Sequence, residues 1–244
     1  SCTPCSPGKY CQDNGLIEPS GYCDAGYYCI SGSKSSTAVN QASAGGICPA
    51  GGYCPEGSSQ SLACPAGSYV ASEGQDSVDD CTDCLPGYYC AGSSNNGTTG
   101  KCDAGYYCTG GASTPTQYRV QPGYFSIAGA NSQSPCPAGT YNREYGQSNC
   151  NACPQGFYCP NEATAEPEVC PRGFYCALNT ITPIGCPKGT FSDVPNIFSE
   201  EACQDCMAGY YCPELGSNSS ALLCSAGYYC NEGSETATPV DGLM

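Results

Sequence analysis

Residues 23–29 read Cys23-Asp-Ala-Gly26-Tyr-Tyr-Cys29. The pattern is a cysteine, two residues, a glycine, two residues of which the second is aromatic, and a closing cysteine. It occurs again from Cys5 to Cys11, Cys48 to Cys54, Cys84 to Cys90 and Cys102 to Cys108. Further copies run from Cys153 to Cys159, Cys170 to Cys176, Cys206 to Cys212 and Cys224 to Cys230. A variant keeps the opening cysteine and loses the closing one: Cys64-Pro-Ala-Gly-Ser-Tyr, Cys136-Pro-Ala-Gly-Thr-Tyr and Cys186-Pro-Lys-Gly-Thr-Phe. A fixed short motif repeated along a whole chain points to an array of small units rather than to one central core.

The motifs are ordered into longer units. Cys64 is followed by Cys81, Cys84, Cys90, Cys102 and Cys108. The same six-cysteine order runs from Cys136 to Cys176 and from Cys186 to Cys230. The reading is four segments: 1–63, a partial unit that lacks the opening cysteine, plus an extra half-unit with Cys48 and Cys54; 64–135, a six-cysteine unit plus an insertion; 136–185; and 186–244. In the insertion, Val120-Gln-Pro-Gly123-Tyr-Phe-Ser126 keeps the glycine and the aromatics but has Val and Ser at the cysteine positions. Both cysteines are absent together, so the two act as a set.

Composition agrees. The 244 residues hold 25 Cys, 32 Gly and 20 Pro, with no His and no Trp. Half-cystines and 20 Tyr supply much of the 40% hydrophobic content, leaving too few aliphatic side chains for a large core. A cysteine fraction this high marks a disulfide scaffold, and such a scaffold requires an oxidising compartment. The expected location is extracellular or at the cell surface. Seven Lys+Arg against 22 Asp+Glu give a formal charge of −15, which excludes the basic face that nucleic acid requires. No apolar run approaches a membrane span, so no membrane insertion is expected.

Each motif element has a local reason. The glycine is expected at positive φ in a tight turn, and the frequent Pro before it pre-sets that turn. The aromatic can lie over a disulfide and give a coreless unit something to bury. Helical periodicity persists nowhere. The expected fold is small disulfide-rich tandem repeats, forming an elongated rod of short β-ribbons and irregular loops with little helix.

The motifs and their spacing resemble the ephrin-receptor-like cysteine-rich repeats, which look like relatives of EGF and tumour-necrosis-factor-receptor modules and occur in extracellular proteins of ciliates and other protists. Six cysteines allow fifteen connectivities, and sequence alone does not choose among them. The resemblance implies first-to-second, third-to-fifth and fourth-to-sixth pairing. That assigns Cys64–Cys81, Cys84–Cys102 and Cys90–Cys108; Cys136–Cys150, Cys153–Cys170 and Cys159–Cys176; and Cys186–Cys203, Cys206–Cys224 and Cys212–Cys230. In the first unit it assigns Cys5–Cys23 and Cys11–Cys29. Cys48–Cys54 then close on each other, or Cys48 pairs with Cys64 and Cys54 with Cys81. Cys2 is left over as a candidate for an intermolecular bridge, and the chain is expected to be a window on a longer array.

Four Cys-x-x-Cys pairs (Cys2/Cys5, Cys81/Cys84, Cys150/Cys153, Cys203/Cys206) have zinc-like spacing. Without His, and among so many half-cystines, they read as neighbours from different bridges. No histidine base exists for nucleophilic catalysis. The carboxylate pairs Asp79/Asp80 and Glu200/Glu201 sit in polar loops and read as solvated. Glu73, Asp76, Asp79 and Asp80 lack the Asp-x-Asp-x-Asp-Gly pattern of a calcium loop. No enzyme activity, catalytic residue, metal or cofactor is expected.

Two sequons, Asn96-Gly-Thr98 and Asn218-Ser-Ser220, occupy equivalent loops six residues after Cys90 and Cys212, and both asparagines are expected to carry glycans. Ser/Thr-rich stretches at 31–37, 113–116 and 234–238 suit O-linked sugars or flexible loops. The function expected is that of an extracellular structural repeat protein, the building block of a glycosylated filament, appendage or surface coat. Its partners are copies of itself or a longer array. The alternative is a receptor or adhesion ectodomain, for which the insertion at 121–135, with Tyr124, Phe125 and Ile127, is the candidate contact point.

Overall fold

The computed structural model describes residues 3–39, 44–92, 96–220 and 222–240. The chain divides into two compact units. One comprises Ser1–Arg119 with Ser126–Gln133, the other Val120–Phe125 with Ser134–Met244. Both contain one kind of element, a two-stranded antiparallel ribbon. Regular helix is confined, among the described residues, to two single 3₁₀ turns at Val78–Asp80 and Glu200–Ala202. The expectation of disulfide-rich repeats with little helix is met.

Each ribbon joins one motif to the next. Its first strand is the two residues after the motif glycine, and its second strand is the two just before the next opening position, with three on each side where Tyr27–Cys29 pairs with Gly45–Ile47. Lys9–Tyr10 pairs with Gly21–Tyr22, which precedes Cys23. Phe157–Tyr158 pairs in the same way with Glu168–Val169, which precedes Cys170. Strands of two residues are too short to be stable alone. They persist because backbone bonds outside the ribbons lock each motif onto its neighbours. The motif glycine N–H donates to the carbonyl of the next motif's closing residue: Gly8 to Cys29, Gly87 to Cys108, Gly139 to Cys159, Gly209 to Cys230. The next opening residue's N–H returns a bond to the glycine carbonyl: Cys23 to Gly8, Cys153 to Gly139, Cys224 to Gly209.

A second turn follows the closing position, and in most motifs it supplies two more bonds. Its left-handed residue donates back to the previous motif's opening carbonyl, as in Gly32 to Cys5 and Gly233 to Cys206. The residue after it accepts from the previous motif's closing N–H, as in Cys11 to Ser33 and Cys212 to Ser234. Both turns need positive φ, +82° at Gly26 and +78° at Gly233, for example. Asn and Ala replace glycine in the second turn at Ala163, Asn179 and Asn196.

The disulfide framework corrects the pairing that the resemblance implies. Cys5–Cys23, Cys11–Cys29, Cys84–Cys102, Cys90–Cys108, Cys153–Cys170, Cys159–Cys176, Cys206–Cys224 and Cys212–Cys230 are not the bridges of this structure. The sulfurs join within motifs instead: Cys5–Cys11, Cys23–Cys29, Cys84–Cys90, Cys102–Cys108, Cys153–Cys159, Cys170–Cys176, Cys206–Cys212 and Cys224–Cys230. The physical reason is the glycine turn. It folds the seven-residue motif back on itself and sets the two Cα atoms 5.8 Å apart in Cys5–Cys11 and 6.2 Å apart in Cys102–Cys108, within the span of a disulfide. Cys48 is bonded to Cys54 by the same turn.

The three motifs without a closing cysteine use a second device. Cys64, Cys136 and Cys186 bond to Cys81, Cys150 and Cys203. Ribbon register explains the choice. Ser68 faces Asp83 and Tyr69 faces Thr82, so the next position, Val70, faces Cys81. By the same count Asn142 faces Cys150 and Ser192 faces Cys203. The closing sulfur has crossed from the first strand to its register partner on the second. Cys2 lies outside the described residues.

Candidate functional site

The chemistry-bearing groups here are disulfides, turn backbones, aromatics and the two sequons. The half-cystines form the core: Cys23, Cys29, Cys90, Cys102, Cys159 and Cys176 are fully buried. Aromatics cover them, often from the motif before. Tyr89 packs against Cys102 and Cys108, and Phe191 clusters with Cys206 and Cys212. The expectation of an aromatic over a disulfide therefore holds, with the covered bridge belonging to the next motif. Elsewhere the rings meet across ribbons. Tyr107 stacks on Tyr118 with centroids 5.4 Å apart, and the Lys9 ammonium lies 5.0 Å from the Tyr22 ring centroid.

Positions that have lost a cysteine stay buried. Val120, Asn142 and Ser192 are wholly enclosed, and Ser126 nearly so. Each polar replacement is satisfied. Asn142 donates to the Tyr124 and Asn149 carbonyls at 2.9 Å and accepts from Asn151. Ser126 donates to the Tyr106 carbonyl, and Ser192 to that of Val194. A buried polar group left unpaired would be costly, so these contacts are what makes a cysteine-free closing position tolerable. In the insertion, Tyr124–Phe125 form a ribbon with Ser134–Pro135 as the same positions do in each motif before Cys224, and both aromatics are half-buried. Ile127 is 65% exposed.

Asp79, Glu200 and Glu201 are exposed, as expected of solvated loop carboxylates, and Asp80 and Glu201 in addition bond the backbone of their 3₁₀ turns. Asp80 accepts from the Asp76 and Ser77 N–H groups and, with Ser77, caps the first 3₁₀ turn. Glu201 is held below its ordinary pKa by its own backbone N–H and by Ser199. The Tyr158 hydroxyl donates to Glu168 at 2.5 Å, which raises the tyrosine pKa. Arg143 pairs with Glu166 on the surface at 2.6 Å. Among the described residues no group of three or more His, Cys, Asp or Glu could hold a metal ion, and no helix is long and apolar enough to cross a membrane.

Asn96 and Asn218 are both exposed, in the loops that join the two strands of their ribbons. The hydroxyls of two Ser/Thr-rich stretches are partly committed to turns. Ser33 is buried and donates to the Ser35 carbonyl, Ser36 bonds Asp24, and Ser234 bonds the Asn231 carbonyl.

The motif glycines form a row of close approaches. A Cβ on Gly26 would sit 2.6 Å from the Gly74 carbonyl oxygen, two motifs further on, and Gly87 and Gly189 meet Gly129 and Gly233 in the same way. Gly209 and Gly227 have nothing within 4 Å of that position. Beside them Tyr228, Tyr229 and Leu223 are 51%, 70% and 69% exposed. Tyr228, Tyr229, Asn231, Pro239 and Val240 line a groove there.

Residues 123–170 match the family model described as tyrosine-protein kinase ephrin type A/B receptor-like. The match covers 48 of the 244 residues, from the glycine of the cysteine-free motif to Cys170. Among curated proteins none matches the chain. The matched segment is similar to a cysteine-rich module of extracellular type, and the same turn, ribbon and bridge recur in the motifs on either side of it.

Proposed function

We propose that the chain is an extracellular structural repeat protein, a building block of a glycosylated filament, appendage or surface coat. The observation that carries this reading is the backbone ladder: every motif glycine from Gly8 to Gly209 donates its N–H to the motif that follows it. Stability then comes from nearest-neighbour contacts, and such an array lengthens without needing a larger core. Cystine cores of this kind suit an extended element exposed to proteases and mechanical load. A formal charge of −15 and glycans on the exposed Asn96 and Asn218 would keep neighbouring copies soluble and apart laterally. The partners under this reading are copies of the chain or a longer array of the same repeats.

The test is immunogold electron microscopy of the native material, with peptide mass spectrometry of the two sequons. Label along fibres or a surface layer is the expected result. Label on dispersed single particles would overturn the structural reading in favour of a receptor or adhesion ectodomain. Unmodified Asn96 and Asn218 would remove the glycan component.

A further inference from the structure

The position of a bridge decides which sulfurs solvent reaches. Between Cys5–Cys11 and Cys224–Cys230 lie seven motif-internal bridges, and both half-cystines of each are buried. The three bridges that cross a ribbon differ. Cys64, Cys136 and Cys186 are buried, whereas Cys81, Cys150 and Cys203 are only half-buried. The cause is the strand that carries the sulfur. The closing position beside the first strand is enclosed, as Val70, Asn142 and Ser192 are. The second strand is the outer one, with Thr82–Asp83, Asn151–Ala152 and Gln204–Asp205 all exposed. A thiolate attacks only a sulfur that it reaches, so exchange in the folded chain is confined, among these bridges, to Cys81, Cys150 and Cys203.

Charge separates the three. Asp79, Asp80 and Asp83 flank Cys81, with Glu73 and Asp76 earlier in the same loop. Glu200, Glu201 and Asp205 flank Cys203, with Asp193 next to Ser192. Residues 145–155, around Cys150, include no charged side chain. Arg143 and Glu144 precede that stretch. Arg143 pairs with Glu166 at 2.6 Å, on the turn whose Thr164 carbonyl accepts from the Asn142 N–H, and Glu162 is a second exposed carboxylate on that turn. The Asn142 side-chain amide also lies 3.8 Å from the Cys150 sulfur. At the equivalent positions Val70 has no side-chain donor, and the Ser192 hydroxyl donates to the Val194 carbonyl.

We propose that Cys150 is a thiol-exchange site, at which the folded chain admits a small anionic thiol that Cys81 and Cys203 repel. The thiolate attacks Cys150 Sγ. A new sulfur–sulfur bond forms there, the Cys136–Cys150 bond breaks, and Cys136 leaves as a thiolate that takes a proton from solvent. The incoming thiol is then held as a mixed disulfide on Cys150. A second thiolate attacking the outer sulfur of that adduct removes it as the thiol's own disulfide. Two thiols are thereby oxidised to one disulfide, and Cys136 and Cys150 are left reduced. The Asn142 amide is placed to donate to the Cys150 thiolate which that step releases. A carboxylate about 7 Å from an attacking thiolate slows it roughly two- to threefold in water. Three of them, as at Cys81 and Cys203, slow it on the order of tenfold at low salt.

The test exposes the oxidised, undenatured chain to mercaptoethanesulfonate at low ionic strength. Alkylation stops the reaction, and peptide mass spectrometry reads each bridge separately. Cys136–Cys150 should open on the order of tenfold faster than Cys64–Cys81 and Cys186–Cys203, and the enclosed bridges more slowly than all three. The trapped adduct should sit on Cys150 and not on Cys136. Cysteamine, whose ammonium offsets the thiolate, should shrink the advantage to about two- to threefold, and so should salt near 1 M. The variant Ser148→Asp/Ala152→Asp changes two exposed positions and places carboxylates where Cys81 has Asp79 and Asp83. It should lose most of the advantage toward mercaptoethanesulfonate and keep the native rate toward cysteamine within about threefold, which also certifies its fold. Equal rates at the three ribbon-crossing bridges would overturn the proposal. So would an advantage that is the same for both thiols, an adduct on Cys136, or all bridges opening together.

Discussion

Moving a closing cysteine back across its ribbon should preserve a disulfide. In the segment 64–84, Val70 stands where other motifs carry the closing cysteine, and Cys81 is its register partner. The variant Val70→Cys/Cys81→Ser restores the commoner arrangement on both strands, since Ser20 and Ser61 occupy the register-partner position opposite Cys11 and Cys54. The Cys64–Cys81 bridge spans 17 residues, for which the chain-entropy model gives about 3.2 kcal/mol. A bridge spanning 6 residues, as in Cys84–Cys90, gives about 2.4 kcal/mol. The swap therefore costs about 0.8 kcal/mol of cross-link, plus roughly 0.5–1.5 kcal/mol for trimming buried Val70. Cys81→Ser alone loses the whole bridge, about 3 kcal/mol. Amide hydrogen exchange at Ser68, Tyr69, Thr82 and Asp83 reads this as local opening. The double variant should open on the order of ten- to fiftyfold more often, and Cys81→Ser about two-hundredfold. Thiol titration in non-reducing denaturant should find no added thiol in the double variant and one in the single. Two added thiols, or exchange as fast as in Cys81→Ser, would refute the equivalence of the two strand positions.

Three further outcomes follow from the same geometry. The variant Cys153→Ser/Cys159→Ser should leave the number of free thiols unchanged, because Cys170 and Cys176 are bonded to each other; crossed pairing would release two, counted by alkylation and mass spectrometry. Gly87→Ala drives a Cβ into the Gly129 carbonyl at a φ of +82°, whereas Gly227→Ala meets nothing at a φ of +92°. In dilute solution the second should cost about 1–2 kcal/mol from φ alone and the first about 1–3 kcal/mol more, by thermal or denaturant unfolding. Finally, the hydrogen bond to Glu168 raises the Tyr158 pKa above its ordinary value of 10.0, so its stabilising effect is complete below that pH and fades as pH rises through the raised value. In an NMR titration Tyr158 should ionise later than in Glu168→Gln, and equal titration in both would reject the bond.

Much of the architecture was legible in the residues themselves. Glycine three places after the opening cysteine requires a left-handed turn, and the structure places positive φ at Gly8, Gly26 and every later copy. The aromatic before the closing position has only a disulfide to bury against, and Tyr89 and Phe191 do so. The joint absence of cysteine at Val120 and Ser126 also held the signal for motif-internal bridges, because one lost bridge removes two cysteines at once. That signal bore on the whole chain, yet the pairing implied by resemblance crossed between motifs. The tertiary structure decided the partners because proximity of sulfurs depends on where the backbone turns and not on cysteine order. A seven-residue motif can close on itself only once its glycine reverses the chain. The transfer of a sulfur from Val70's position to Cys81 likewise needs ribbon register, which fixes which residues face each other across strands separated by a loop of variable length. The long-range rungs, Gly8 to Cys29 and Cys11 to Ser33 among them, are bonds between peptide groups that every residue carries. Such groups leave no mark in a sequence, so the bonds that lock motif to motif became visible only when the chain was folded.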